Sequence, residues 1–237
     1  PEKWSWTAGP IIQGKKITAG AKSVTSPLNN HPIGHAHTAS KEDLLHALDC
    51  AQRAQDTWAN RPVNERAAFL DKVSYLLEEN RDELIALCVF EAGKSIPDAI
   101  SEIREAIDFC RYYANQARGL FSDNHYMQGP TGESNLVSYY GRGIAFCISP
   151  WNFPLAIFIG QISAALVTGN CVIAKPAEST SIIAYRASEL LIEAGIPLGV
   201  FQLCLGSGSD VGSYLTSSSI ISGVAFTGSS AVAKQIK

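Results

Sequence analysis

Charge is what this chain of 237 residues has least of. It carries 19 Lys and Arg and 22 Asp and Glu, 17% of its length, against roughly 25% in an average soluble domain. A basic excess is also missing: the net charge is -3 and no Lys/Arg cluster lies along any segment. The electrostatic footprint of a nucleic-acid binder is therefore absent. Short cysteine spacings are lacking. Cys50, Cys88, Cys110, Cys147, Cys171 and Cys204 stand 22 to 38 residues apart, which excludes a zinc ribbon and a small disulfide framework. Their apolar surroundings fit reduced, buried thiols and a cytoplasmic setting. Residues 1–11 show no basic segment followed by an apolar one, so no signal peptide is read there. Residues 143–174 hold no charged side chain at all, yet they contain no long hydrophobic run. Pro150, Asn152 and Pro154 break the front and Gly169-Asn170 the back, leaving a stretch too short to span a bilayer as a helix.

With 46% hydrophobic residues the chain can build a substantial core, as one large domain or one domain with an appendage. Of its 41 charges, 30 fall in residues 1–118, so the two halves have different surroundings. The first half reads as helices after a short extended start at 11–17, where Gln13-Gly14-Lys15 suggests a hairpin turn. Ser40 and Asp43 make an N-cap pair before a face of Leu44, Leu45, Leu48 and Ala51. Pro62 opens a second helix with Phe69, Leu70, Val73, Leu76 and Leu77. A third runs through Leu84, Leu87 and Cys88 to a stop near Gly93, and a fourth repeats Ile96, Ile100, Ile103, Ile107 and Cys110 at three and four. Residues 122–142 form a boundary with a strand at 136–140. From 143 the pattern becomes short apolar strands (144–148, 171–174, 200–203, 223–226) alternating with helices (155–167, 181–194, 209–216). That is the signature of a parallel sheet covered on both faces, a doubly wound, Rossmann-like α/β fold. Its ligands bind outside the carboxyl ends of the strands. The expected organisation is a helical part at 1–121, a connecting arm at 122–142 and the α/β core at 143–237.

Each strand ends in a distinctive segment. After the first comes Ser149-Pro150-Trp151-Asn152-Phe153-Pro154, in which two prolines stiffen the backbone around an amide that can donate to an oxyanion. A plain proline-stiffened turn would look the same. After the second comes Lys175-Pro176-Ala177-Glu178, where Glu178 can accept from a ribose 2′-hydroxyl and repel a 2′-phosphate. A solvent-facing ion pair is the competing reading. The third leads to G-x-G-x-x-x-G at Gly206, Gly208 and Gly212, one residue off the dinucleotide fingerprint. The fourth leads to Phe226-Thr227-Gly228-Ser229, a turn whose N–H groups can receive a pyrophosphate. Three decoys fall away. Gly93-Lys94-Ser95 imitates a P-loop end but has Cys88 where the loop needs glycine. His31, His35 and His37 lack a nearby carboxylate and sit in a segment read as loop. Cys147, inside an apolar strand, suits a buried thiol better than a nucleophile.

Taken in order, these four segments resemble the aldehyde dehydrogenase superfamily, and the resemblance extends back through Glu91-Ala92-Gly93-Lys94. Within it, SPWNFPLAIF from Ser149, then Gly160-Gln161 and Lys175 to Glu178, is similar to the 1-pyrroline-5-carboxylate dehydrogenase module of bifunctional proline utilization A proteins. The resemblance implies NAD as cofactor, held by Ser149, Pro150, Trp151, Lys175, Ala177, Glu178, Gly208, Gly212, Phe226, Thr227, Gly228 and Ser229. Asn152 is implied as the amide that stabilises the oxyanion. Position 233, a glycine in the family turn, is Ala233 here. The resemblance implies no metal, an aldehyde substrate, and the beginning of an oligomerisation arm at 136–141. FAD would belong only to a separate upstream proline dehydrogenase module. The family's nucleophilic cysteine and activating glutamate lie downstream of F-T-G-S, beyond Lys237. The expectation is thus the cofactor-binding part of a longer enzyme, inactive alone. Oxidation of another semialdehyde, or a non-catalytic nucleotide-binding or oligomerisation module, stays open at this point.

Overall fold

The computed structural model describes residues 5–18, 20–122 and 125–236. The chain opens with strands, more of them than the sequence pattern announces: β1 (Trp6–Ala8), β2 (Ile11–Ile12), β3 (Lys15–Lys16), β4 (Ala21–Thr25) and β5 (Pro32–His37). Gln13 and Gly14, with φ of 51° and 73°, make the expected hairpin turn between β2 and β3, both central residues in the left-handed region that a tight hairpin requires. β5 pairs parallel with β1 and antiparallel with β4. It carries His35 and His37, so the segment taken for loop is a strand. Proline and glycine in P-I-G-H-A-H weaken the strand signal locally, and pairing on both sides overrides it.

The four expected helices follow as α1 (Lys41–Ala59), α2 (Val63–Glu79), α3 (Arg81–Ala92) and α4 (Ile96–Phe121). Ser40 and Asp43 form a reciprocal capping box, Asp43 N donating to Ser40 Oγ at 3.1 Å and Ser40 N to Asp43 Oδ2 at 2.8 Å. Gly93 ends α3 in the left-handed conformation, as a C-terminal glycine does. Two of the expected faces shift. Leu45 on α1 and Ile96 and Ile100 on α4 are exposed, because the buried stripes run through Leu44, Ala47, Leu48 and Ala51 and through Ala99, Ile103, Ala106, Ile107 and Cys110. Small alanines, not the outermost isoleucines, mark where α4 packs closely. Next, β6 (His125–Met127) pairs antiparallel with β7 (Asn135–Val137), a strand shorter than the 136–140 expected.

The α/β part comprises β8 (Ile144–Ile148), α5 (Ala156–Val167), β9 (Cys171–Lys175), α6 (Ser181–Glu193), β10 (Phe201–Leu203), α7 (Ser213–Thr216), β11 (Ile221–Phe226) and α8 (Ser230–Ile236). The six-stranded sheet runs β11-β8-β9-β10-β2-β3, with β8, β9, β10 and β11 parallel and the β2–β3 hairpin added antiparallel. The steps from β8 to β9 to β10 go one way, and right-handed crossovers place α5 and α6 on one face. α2, α3 and α4 back those helices, while α1 packs mainly on β8, β9 and β10 and reaches the C-terminal end of α5 through Trp58. β9 is buried at all five positions. β11 departs from the expected buried strand: among the described residues it pairs only with β8, and it is largely exposed. No helix among the described residues is long and apolar enough to cross a membrane.

Neither α5 nor α6 is capped by a side chain at its own start. Carboxylates from the helical half do it instead. Glu102 Oε1 accepts from Leu155 N at 3.0 Å and Ala156 N at 2.9 Å, and Glu91 accepts from Ile182 N at 2.7 Å and Ile183 N at 2.8 Å. At the far end of α5, Trp58 Nε1 donates to Leu166 O at 3.0 Å and Arg66 Nε to Val167 O at 2.9 Å. Burial pushes the Glu91 carboxyl up to about 8, with N–H donors from Ile182, Ile183 and Ser181 pulling the other way. A carboxyl raised by folding holds its proton more tightly in the folded state. The stability it contributes is full below the unfolded value and is lost as pH rises through about 8. Between about pH 5 and 8.5, urea unfolding of the chain should therefore lose stability relative to Glu91→Gln, by at most roughly 1.4 kcal/mol per pH unit. A pH-independent difference would show that Glu91 does not titrate there.

Candidate functional site

The strand order reverses between β8 and β11, since the chain leaves β10 and returns to the other side of β8. The crevice outside the carboxyl ends at such a reversal is where open α/β sheets bind ligands. The four expected segments stand at those four strand ends.

At the end of β8, Ser149 N donates to Lys175 O at 3.2 Å, and Ser149 Oγ is buried with no hydrogen-bond partner. Trp151, Asn152 and Phe153 are exposed and Pro154 is buried. The Asn152 amide has no partner among the described residues, so its donors are free. Lys94 Nζ lies 4.4 Å from the centre of the Phe153 ring and 2.6 Å from Glu102 Oε2.

At the end of β9, Lys175 is 5% exposed and its ammonium donates to Pro176 O at 3.0 Å. Burial lowers its pKa and the charge of Glu178 opposes that. Glu178 itself is exposed, and the two form no direct ion pair among the described residues, which removes the competing reading of a surface salt bridge. Trp151 and Glu178 instead face one cleft of about 470 Å³, shared with Thr25, Asn30 and Glu91.

After β10, Gly206 has φ 148° and a Cβ there would stand 2.5 Å from Val211 Cγ2. The following turn, Gly208–Gly212, is π-helical, capped by Ser207, whose Oγ accepts from Asp210 N at 2.9 Å. A side chain at Gly208 would meet nothing within 4 Å, so the backbone there is open to a ligand. Gly212 lies over the Lys175 stem, its ideal Cβ position being 3.9 Å from Lys175 Cδ and Cε. The second and third segments therefore lie side by side.

After β11, Thr227 N donates to Ile148 O at 3.1 Å. Phe226 folds back so that a Cβ on Gly228 would be 2.5 Å from its ring. Ser229 starts α8, accepting from Ala233 N at 3.0 Å. Gln161 bridges this segment to the first: its Nε2 donates to Ile148 O at 3.2 Å and to Thr227 Oγ1 at 3.1 Å. The chemistry of the segments did not single out Gln161, Glu91 or Glu102. The available signal was an apolar helix start without a capping residue of its own.

The rejected motifs have structural roles. Gly93 is the end of α3, Lys94 pairs with Glu102, and Ser95 caps α4, accepting from Asp98 N at 3.3 Å. Among the described residues no cluster of three His, Cys, Asp or Glu could hold a metal ion. All six cysteines are buried, and burial pushes the thiols of Cys110, Cys147, Cys171 and Cys204 up to about 12. Burial thus disfavours the thiolate at those four positions.

A doubly wound sheet with these strand-end segments defines the class, and the family comparison agrees: residues 15–237 match the aldehyde dehydrogenase family, to which the chain belongs. Among its relatives, bifunctional protein PutA of Salmonella typhimurium (strain LT2) is 43% identical over 230 residues, 96% of this chain and 16% of that protein. The structure of proline utilization A from Bdellovibrio bacteriovorus superposes with TM-score 0.94 at 38% identity, over 97% of this chain and 24% of that one. That of 1-pyrroline-5-carboxylate dehydrogenase from Thermus with bound NAD gives TM-score 0.93 at 34% identity, over 99% of this chain and 46% of that one. The chain thus spans less than half the length of these relatives.

The strained glycine turn offers a direct check. Gly206→Ala should destabilise the chain by about 1–3 kcal/mol, the usual scale for a non-glycine residue forced into such a conformation. The urea midpoint reads it, and an unchanged midpoint would contradict the geometry at Val211.

Proposed function

We propose that this chain is the cofactor-binding part of a longer NAD-dependent dehydrogenase that oxidises L-glutamate γ-semialdehyde, the open form of 1-pyrroline-5-carboxylate, to L-glutamate. The observation that carries the reading is the meeting of four strand-end segments around the β8/β11 reversal, in a chain 43% identical to a PutA protein.

The residues present fit a dinucleotide. Lys175 offers a buried ammonium whose one hydrogen-bond partner is a neutral carbonyl. Ser149 has an unused buried hydroxyl, and Gly208 leaves its backbone open. Lys175 and Glu178 would hold the adenosine ribose, with Ala177 between them. Gly208 and Gly212 would lie near the adenine, and Phe226 to Ser229 would form the pyrophosphate turn. Ser149, Pro150 and Trp151 would line the site from β8. When bound, NAD supplies the acceptor for the hydride that the aldehyde carbon loses.

Asn152 donates its free amide N–H to the oxygen of the tetrahedral adduct, where negative charge develops during attack. The two prolines around it, Pro150 and Pro154, limit how far it strays. The nucleophilic cysteine and the glutamate that activates the hydrolytic water are assigned to a part of the parent enzyme outside these residues; the six cysteines here are buried in the core. The β6–β7 hairpin starts an oligomerisation arm, and the exposed β11 faces the remainder of the polypeptide. In a bifunctional parent, FAD belongs to a separate upstream module. The setting is the cytoplasm.

The 237-residue chain should produce no NADH from the semialdehyde, and clear turnover would overturn the placement of the nucleophile. The whole polypeptide should oxidise that semialdehyde in preference to other aldehydes. Faster turnover of an aldehyde lacking the distal carboxylate would replace the substrate. Calorimetry on the whole polypeptide should show NAD binding more tightly than NADP, with Glu178→Gln narrowing the gap by about tenfold or less, since the carboxylate is exposed. Equal affinities in the unaltered protein would remove Glu178 from the ribose site.

A further inference from the structure

Asn152 is exposed and makes no hydrogen bond of its own among the described residues, so the backbone from which its amide projects is placed by the anchors on either side. On one side Ser149 N donates to Lys175 O at 3.2 Å. On the other, Leu155 N and Ala156 N donate to Glu102 Oε1 at 3.0 and 2.9 Å. Between them the Phe153 ring rests beneath Lys94 Nζ at 4.4 Å. Lys94 Nζ also pairs with the second oxygen of Glu102, 2.6 Å away, by charge and without hydrogen-bond alignment, the side chains being 14% and 0% exposed. One ammonium therefore fixes both the ring next to Asn152 and the carboxylate that caps the helix after it.

Three residues earlier, Glu91 does the corresponding work at the next strand. Its two oxygens accept from Ile182 N and Ile183 N at 2.7 and 2.8 Å, at the start of the helix that follows Lys175 and Glu178. Gly93, left-handed at φ 69°, turns the chain between the two residues so that each reaches a different helix. Glu91 and Ala92 also border the cleft that Trp151 and Glu178 share, so this segment lies where the two loops meet.

We propose that Glu91 and Lys94 are positioning residues with separable targets: Lys94, through Glu102 and Phe153, aims the Asn152 amide, and Glu91 places the Lys175–Glu178 ribose loop. The proposal rests on the assignment of Asn152 to the oxyanion and of Lys175 and Glu178 to the ribose.

The test uses the whole polypeptide, with kcat measured at saturating NAD and aldehyde and the NAD dissociation constant measured separately by calorimetry. Lys94→Met should lower kcat at least tenfold and leave the NAD dissociation constant within twofold, and Lys94→Arg should restore most of the rate. Glu91→Gln should weaken NAD binding at least threefold and leave kcat within twofold. A residue needed only for folding would move both quantities together and lower the melting temperature with them; that pattern in both variants overturns the proposal. Where Lys94→Met does not fold, Phe153→Leu removes the ring and leaves the buried ion pair intact, and it should reproduce the loss confined to kcat; unchanged kcat overturns the proposal. Asn152→Ala and Glu178→Gln separate the two levels of the argument. A damaging Asn152→Ala beside a harmless Lys94→Met overturns the positioning role alone. A harmless Asn152→Ala overturns the oxyanion assignment and the role of Lys94 with it. A Glu178→Gln variant that binds NAD normally does the same for the role of Glu91.

Discussion

Every helix must find partners for the N–H groups of its first turn and the carbonyls of its last, and α5 begins in a stretch with no charged side chain. That single requirement organises the molecule. The helix that carries the Asn152 turn on its leading end cannot cap itself, so Glu102 reaches in from α4. Trp58 and Arg66 close its other end from α1 and α2. α6 receives Glu91 from α3 in the same way. A buried carboxylate left without such donors would cost several kcal/mol, so caps and helices hold each other in place. The charge-rich and charge-poor halves are one body, in which the first half supplies the polar ends that the second half lacks.

The same arrangement sets the site. The reversal of strand order opens a crevice at the ends of β8 and β11, and the segments around it are held both from behind, by the caps on α5 and α6, and by one another, as Ser149 N on Lys175 O shows. Thr227 continues the ladder onto Ile148, Gln161 ties both to α5, and Gly212 lies beside the Lys175 stem. The Asn152 amide and the buried Ser149 hydroxyl have no partner among the described residues, while backbone hydrogen bonds anchor the turn on either side of them. Preorganised donors of that kind need no rearrangement when charge develops near them.

How much of this could be read from the sequence follows from how local each signal is. The capping box at Ser40, the turn at Gln13-Gly14 and the glycine stop at Gly93 are decided within four residues, and they are where the pattern placed them. The central parallel strands β9 and β10 were legible because burial on both faces makes them continuously apolar. β5 was not, since Pro32 and Gly34 oppose a strand and only pairing with β1 and β4 makes one. Leu45, Ile96 and Ile100 continue a helical period but fall outside the packed stripe, which depends on where other helices lie. The four strand-end segments were found by their chemistry. Glu91 and Glu102 were missed because a cap from 53 or 91 residues away leaves no spacing to detect.

Lys175 shows why the position of these loops matters energetically. Burial of an ammonium disfavours its charge, and its one hydrogen-bond partner, Pro176 O, is neutral. Glu178 is close enough to help it through space yet is exposed and free to turn toward a ligand. The cation therefore sits in a site whose remaining donors are unspent. Sugar hydroxyls brought to it would accept from those donors and donate to Glu178, relieving an existing desolvation cost instead of breaking a bond already made. A lysine paired tightly with the same glutamate would have to give up that pair first, and binding would be weaker by the strength of the pair. In the proposed ribose site, the separation of Lys175 from Glu178 would thus leave both groups available to a dinucleotide.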